Sequence, residues 1–253
     1  MNFDSILRSE TNRTATYCGV CKSDGEVLNG IGDFDIHQII TPDYLQTFET
    51  ELKEASLVFV DGNIPKESIS YICNVCQKAN TPVWFEPTDL NLAYKGLNCN
   101  FTYTSPNLDE LRAMSPSPQP LGKLFKKDNV NLAASLGNNL LNSIPNILIT
   151  LGKHGVLLCQ RNEVSFNKRT FRYFPVKECT NVENVLGAGD CLAATFAYHH
   201  ILQDMDVISS MQLGLLAAQI SLTSIEAVSA SIVNINLEKS KAILLEMETI
   251  AIE

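Results

Sequence analysis

The sequence lacks any apolar run long enough to cross a lipid bilayer. Its longest nearly apolar stretch lies around Leu213–Leu222, far short of the roughly 20 residues that a membrane-spanning helix needs. The N-terminal stretch MNFDSILRSETNR has neither an apolar core nor a small-residue cleavage site, so it does not resemble a secretory signal. We therefore expect no membrane partner and a cytoplasmic location.

Basic residues are also scarce. The chain has 19 Lys and Arg against 28 Asp and Glu, a formal net charge of −9, which repels the phosphates of a nucleic acid polymer. Direct binding of nucleic acid is not expected. The length of 253 residues with 45% hydrophobic side chains suits one large α/β domain or two small ones.

Eight cysteines raise the question of a metal site, because two Cys-x-x-Cys pairs resemble zinc ligands: Cys18 with Cys21, and Cys73 with Cys76. The first pair lies in a predicted strand, where this spacing points the two thiols to opposite faces. The two pairs also stand farther apart than the usual zinc-ribbon interval. We interpret them as reduced thiols of a cytosolic protein, with a zinc-stabilised interaction module as the alternative.

The pattern of apolar residues predicts an α/β protein that carries a small β hairpin. The hairpin strands are Thr14–Cys21 and Glu26–Ile31, joined at Ser23-Asp24-Gly25. After them strands and helices alternate, as in a layered and mostly parallel sheet. The predicted elements are strand 57–60, helix 65–79, strand 83–85, helix 107–113, helix 132–141, strands 147–151, 155–160 and 164–174, and helices 188–202, 207–224 and 237–250. We expect one domain over 1–253, with the parallel pattern continuing after residue 151.

The segment with the clearest chemical meaning is Gly187-Ala188-Gly189-Asp190, a glycine-bracketed turn that opens a small-residue helix. Bare glycine backbone lets the N–H groups at a helix start face an anion such as a transferring phosphoryl group. Asp190 beside them would repel a passive anion, but it suits a base that takes a proton from a hydroxyl. The alternative is an ordinary helix start with Asp190 complementing the helix dipole.

Two further segments fit the same chemistry. Asn107 and Glu110 lie three residues apart, so they share one side of a helical turn and could hold hydrated Mg²⁺. Their alternative is a helix cap followed by a first-turn Glu. The loop Thr150–Gly155 follows a buried strand and offers backbone N–H groups, although a plain glycine turn has the same composition.

Taken together, these motifs resemble those of the ribokinase-like carbohydrate kinases, the PfkB family. The resemblance implies a layered α/β/α fold with a β lid, here 14–36, and transfer of phosphate from ATP to a sugar or nucleoside hydroxyl. It implies Asp190 as catalytic base, Gly187, Ala188 and Gly189 as the anion hole, and Asn107 and Glu110 as the Mg²⁺ element. The implied nucleotide contacts comprise Thr150, Gly152 and Gly155, and on the helix 207–224 they comprise Leu215, Gln219 and Thr223.

Other segments resemble the pseudouridine kinase branch of that family, including Asp61–Pro65 and Phe85–Asp89 at strand ends. The branch resemblance implies the 5′-hydroxyl of pseudouridine as acceptor. The chain starts at what resembles the lid, so the resemblance implies an N-terminally truncated domain without the usual acceptor-binding segment, an exposed sheet edge and a possible homodimer. A non-catalytic nucleotide-binding fragment is the alternative. Asn184 stands where many relatives have Asp, which makes a monovalent cation doubtful.

Overall fold

The computed structural model describes residues 6–21, 27–115, 126–162 and 168–250. The strands are β1 (Thr16–Cys21), β2 (Val27–Asp33), β3 (Val58–Asp61), β4 (Val83–Glu86), β5 (Tyr103–Thr104), β6 (Asn146–Thr150), β7 (Val156–Arg161), β8 (Arg169–Phe174) and β9 (Glu248–Thr249). The α-helices are α1 (Pro42–Gln46), α2 (Glu49–Glu54), α3 (Lys66–Ala79), α4 (Leu108–Ala113), α5 (Lys126–Leu140), α6 (Ala188–Ala197), α7 (Val207–Leu222) and α8 (Leu237–Ser240). A π-helical turn at Tyr198–Leu202 extends α6.

Seven strands form the main sheet in the order β3-β4-β5-β6-β7-β8-β9. Pairing is parallel from β3 to β6 and antiparallel from β6 to β9. The predicted α/β fold class is confirmed, but the expectation that the parallel pattern continues after residue 151 is wrong. Only Leu151–Gly155 separates β6 from β7, and a parallel crossover needs about a dozen residues.

Helices cover both faces of this sheet, which gives three layers. Successive side chains of β4 point to opposite faces of the sheet. Val83 and Phe85 pack on the side of α3, α4 and α5, whereas Trp84 packs on the side of α6 and α7. Trp84 and Phe85 are fully buried. The second side carries the glycine-bracketed helix start, so the predicted catalytic base and anion hole lie on the α6 and α7 face.

The second Cys-x-x-Cys pair lies on the buried side of α3. Cys73 and Cys76 pack there with Ile69 and Ile72, and burial raises the pKa of the Cys76 thiol to about 11. Across the described ranges no group of three or more His, Cys, Asp or Glu side chains is arranged to hold a metal ion. These thiols act as small apolar core residues.

The N-terminal hairpin forms a separate two-stranded sheet. β1 and β2 pair antiparallel from Thr16 opposite Asp33 to Cys21 opposite Val27, as predicted. The Ser23-Asp24-Gly25 turn lies outside the described residues, and so do 164–167 of the predicted strand 164–174.

The predicted helix 237–250 is wrong beyond its first turn. Only Leu237–Ser240 is helical, and Glu248–Thr249 forms the edge strand β9 against Arg172 and Tyr173. The Ile250 N–H donates to the Phe171 carbonyl at 2.9 Å. Pairing with the open edge of β8 satisfies backbone groups that a short helix in solvent would leave to water. No helix of the described segments is long and apolar enough to span a membrane.

Candidate active site

The parallel strands end at one edge of the sheet, and polar residues gather there. Asp61 closes β3, Glu86 closes β4, Asn107 follows β5 and Thr150 closes β6. Asn107 and Thr150 form an isolated parallel bridge, and the Thr150 N–H donates to the Pro106 carbonyl at 2.9 Å. The carboxyl edge of a parallel sheet is where open α/β folds bind ligands.

Gly187 fixes the start of α6. Its φ of +80° is left-handed, and a Cβ there would lie 2.4 Å from the carbonyl oxygen of Ala227, so only glycine fits without strain. Asn184 shapes the approach to this turn: its Oδ1 accepts from the Leu186 N–H at 3.0 Å and its Nδ2 donates to the Ile225 carbonyl at 3.1 Å. The loop after α7 therefore supports the turn.

No side chain caps α6. The first N–H groups of a helix have no partner within the helix, so those of Ala188, Gly189 and Asp190 are available to a ligand at the positive end of the helix dipole. Gly189 has open space around its Cα. Asp190 is exposed in the same turn, which brings a carboxylate next to the anion-binding backbone.

A cavity of about 680 Å³ opens between this turn, α7 and the β6–β7 loop. Most of the predicted nucleotide residues line it. The predicted lining residues are Thr150, Gly152, Gly155, Ala188, Gly189, Leu215 and Gln219. Thr223 lies outside the lining: it is exposed at the end of α7, where its hydroxyl donates to the carbonyls of Gln219 and Ile220.

A second cavity, of about 350 Å³, lies on the other side of the α6 start. Its polar lining consists of three carboxyl groups, those of Asp61, Glu86 and Asp190. Phe59, Val60, Ala193 and Ala194 complete the lining. Of the predicted site residues, only Asp190 lines this second cavity, which receives its other acidic groups from β3 and β4.

Asn107 and Glu110 form a capping box at the start of α4. The Asn107 Oδ1 accepts from the N–H groups of Asp109 and Glu110, both at 2.9 Å, and the Glu110 Oε2 accepts from the Asn107 N–H at 2.8 Å. Burial raises the pKa of Glu110. The cap that the sequence offered as an alternative is thus present. Carboxylate and amide oxygens are also the ligands that Mg²⁺ accepts, and Mg²⁺ usually keeps several waters, so the pair fits a water-bridged ion.

The residues of the larger cavity that were not singled out from the sequence include an ion pair. Lys153 and Glu178 form an exposed ion pair at 3.2 Å, and both line the cavity. Lys153 belongs to the predicted loop 150–155, so its charge next to a phosphate-binding loop was a signal that sequence reasoning could have used. Glu178 follows β8 and carried no such signal.

The three-layer fold, with two cavities meeting at a glycine-bracketed helix start, defines a ribokinase-like protein. A profile of the pfkB family of carbohydrate kinases matches residues 1–233. The chain belongs to this family, which confirms the resemblance inferred from its motifs.

Among its relatives, the chain is 25% identical to a pseudouridine kinase of Arabidopsis thaliana over 274 aligned positions, covering 88% of this chain and 72% of that protein. It is 26% identical to a pseudouridine kinase of Escherichia coli strain K12, covering 77% and 58% of the two chains. It therefore spans only part of the length of these relatives.

Solved structures agree on the fold. A carbohydrate kinase from Agrobacterium tumefaciens superposes with a TM-score of 0.66 at 17% identity, over 95% of this chain and 72% of that one. A ribokinase from Arabidopsis thaliana, solved with ribose and ATP, gives a TM-score of 0.61 at 17% identity, over 87% and 68%.

Proposed function

We propose that this protein transfers the γ-phosphoryl group of ATP to a hydroxyl of a sugar or nucleoside, with pseudouridine as the favoured acceptor. The observation that carries the proposal is the position of the α6 start between two cavities. The larger cavity meets the helix at Ala188 and Gly189, and the smaller one meets it at Asp190. A donor and an acceptor held on the two sides would face each other across this turn.

The size and lining of the larger cavity support a nucleotide. Its volume lies within the few hundred to one thousand Å³ typical of small-molecule sites. Leu192, Leu215 and Leu222 give it an apolar wall suited to a base, while Lys153 and the glycines of the β6–β7 loop lie at its polar end. In this arrangement the phosphates point towards the N–H groups of α6.

The chemistry follows from these positions. The acceptor hydroxyl gives its proton to Asp190 as its oxygen bonds to the γ-phosphorus, and the bond to the bridging oxygen of ADP breaks. The N–H groups of Ala188, Gly189 and Asp190 stabilise the charge on the transferring group. Glu110, with Asn107, would hold a hydrated Mg²⁺ that neutralises phosphate charge.

The choice of pseudouridine rests on three observations. The two pseudouridine kinase relatives align with most of this chain, and the segments after β3 and β4 resemble that branch. The lining of the smaller cavity, with carboxyl groups at one end and an aromatic ring at the other, accommodates a ribose carrying a planar base.

Two measurements test this proposal on the purified protein. Calorimetric titration with MgATP should show one binding site, and a coupled assay should detect ADP formation that depends on pseudouridine or ribose. Absence of MgATP binding to folded protein would refute the proposal. Nucleotide binding without transfer to any sugar or nucleoside would support the non-catalytic alternative.

A further inference from the structure

Strand register places two of the three acidic groups of the smaller cavity, those of Asp61 and Glu86, in one row. In the parallel pair of β3 and β4, Phe59 is opposite Trp84 and Asp61 is opposite Glu86. Side chains alternate along a strand, so these four lie on the same face, the one on which Trp84 meets Phe196 of α6 with ring centroids 6.0 Å apart. On this face Phe59 and Trp84 thus form an aromatic row, and Asp61 and Glu86 form a carboxyl row beside it, at the ends of the two strands.

A hydrogen-bond chain holds one of these carboxyl groups. The indole Nε1–H of Trp84 donates to the Ser105 Oγ at 2.7 Å, and the Ser105 hydroxyl donates in turn to the Glu86 Oε2. The indole N–H can only donate, so the single hydrogen of the Ser105 hydroxyl remains available to the carboxyl group. Trp84 and Ser105 are buried. The Glu86 carboxyl therefore has a set orientation before any ligand arrives.

The charges around Glu86 favour its neutral form. Burial raises the pKa of Glu86 to about 8, and the carboxylates of Glu110, Asp190 and Asp61 add to the increase, while the Ser105 hydrogen bond opposes it. While Oε2 accepts from the Ser105 hydroxyl, a proton on Glu86 lies on Oε1. That oxygen can donate to a ligand in the cavity.

We infer that the acceptor is uncharged and that Glu86, oriented by Ser105, binds one of its hydroxyl groups in the smaller cavity. The inference rests on the proposed function and narrows its substrate class. No basic residue lines this cavity among the described residues, so a phosphorylated sugar would place its charge against Asp61 and Asp190 without a counter-ion. A ribose or nucleoside hydroxyl accepts a hydrogen bond from the protonated Glu86 carboxyl without that repulsion. Ser105 is the positioning residue.

The acceptor class is tested by comparing matched pairs of compounds. We would titrate the protein with pseudouridine and pseudouridine 3′-phosphate, and with fructose and fructose 6-phosphate, so that both members of each pair keep a free primary hydroxyl, and measure phosphoryl transfer to each. The neutral compounds should bind and the phosphorylated ones should bind at least about tenfold more weakly, the effect of one uncompensated charge contact. Equal use of phosphorylated sugars would overturn the inference and leave the kinase proposal intact.

The roles of Glu86 and Ser105 are tested by four variants. Ser105→Ala and Glu86→Ala should each raise the acceptor KM about 3- to 10-fold, the effect of one neutral hydrogen bond, with kcat and MgATP affinity nearly unchanged. Ser105→Thr keeps the hydroxyl and should restore the KM. Glu86→Gln should also leave the acceptor KM at the wild-type value, because an amide N–H donates a hydrogen bond as the protonated carboxyl does. Glu67→Gln, on the exposed start of α3, is the matched control.

Trp84 gives a readout of the hydrogen-bond chain that does not depend on activity. It is the single tryptophan of the sequence, so Ser105→Ala should shift its fluorescence emission and Ser105→Thr should not. Unchanged acceptor binding in both alanine variants would contradict the inference. A loss of MgATP binding in Glu86→Gln would instead indicate that Glu86 acts as an anion towards the metal. Failure of the wild-type protein to bind any neutral acceptor, while it still transfers phosphate to a phosphorylated sugar, would refute this inference alone.

Discussion

Gly189 and Asp190 are consecutive residues of α6, yet they line different cavities. The backbone of Gly189 borders the larger cavity, and the carboxylate of Asp190 borders the smaller one. One helical turn therefore separates the space proposed for the nucleotide from the space proposed for the acceptor. Substitutions at the two positions should have separable effects on binding and on chemistry.

Asp190→Asn should remove most of the phosphoryl transfer and leave nucleotide affinity almost unchanged. The amide keeps the shape of the side chain but cannot take the hydroxyl proton, so the loss should appear in kcat more than in KM. General-base removal costs about 10²- to 10⁴-fold. Steady-state kinetics with pseudouridine and ribose, alongside MgATP titration, measure both quantities. A variant that retains more than about a tenth of the parental kcat would show that Asp190 serves only the helix dipole.

Gly187→Ala should destabilise the protein. Its left-handed φ and the 2.4 Å approach of a Cβ to the Ala227 carbonyl predict a loss of about 1 to 3 kcal/mol in the free energy of unfolding. Gly189→Ala is the matched control for stability, because open space surrounds that position and alanine in a helix is tolerated within about 1 kcal/mol. Urea denaturation measures both. Equal loss in the two variants would contradict the structural role of Gly187.

Gln219→Ala should weaken MgATP binding without changing the melting temperature by more than a few degrees. Gln219 is half-buried on α7 and lines the larger cavity, and loss of one polar contact corresponds to about 3- to 10-fold in affinity. Gln212→Ala changes the same residue type two turns earlier on α7, outside the lining, and should have no effect. Equal behaviour of the two variants in calorimetry would exclude α7 from the nucleotide site.

The stability of the protein should depend on the ionisation of Glu86. Its pKa rises from an ordinary 4.5 to about 8 in the fold, so the folded state holds a proton that the unfolded chain releases. This contribution is complete below about pH 4.5 and is lost as the pH rises towards 8. The melting temperature of the wild-type protein should thus fall relative to that of Glu86→Gln between these limits. Parallel pH profiles of the two proteins would contradict the raised pKa.

The fold could be predicted largely from local patterns, and the exceptions have physical causes. The alternation around Val83 and the cap at Asn107 are local signals, and the structure has the predicted strand and helix there. The antiparallel direction of β7 follows from the short loop Leu151–Gly155, and the pattern of apolar residues does not indicate the direction of a strand. The strand at Glu248–Thr249 depends on the free edge of β8, a neighbour that only the folded chain supplies.

The site was predicted where the sequence itself constrains the backbone. The composition of the turn Gly187-Ala188-Gly189-Asp190 predicts its backbone geometry, because a residue with a left-handed φ before a helix start is usually glycine. Ser105 and Glu86 are 19 residues apart in the chain, and their hydrogen bond depends on the pairing of β4 with β5. Sequence reasoning noted the segment of Glu86 but did not connect it with Ser105, because neither residue has a local pattern that indicates its partner.

The position of the C-terminal segment determines when the lining of the larger cavity is completed during synthesis. Ile243 lines the larger cavity, and its carbonyl accepts from the Lys177 N–H at 2.8 Å, while Glu248–Thr249 completes the sheet beside β8. Chains emerge from the ribosome with their N-terminal part first. Among the described residues, the last one in the chain that lines the smaller cavity is Ala194. The larger cavity also includes Ile243, which is synthesised about fifty positions later. The lining of the larger cavity is therefore completed later in synthesis than that of the smaller one.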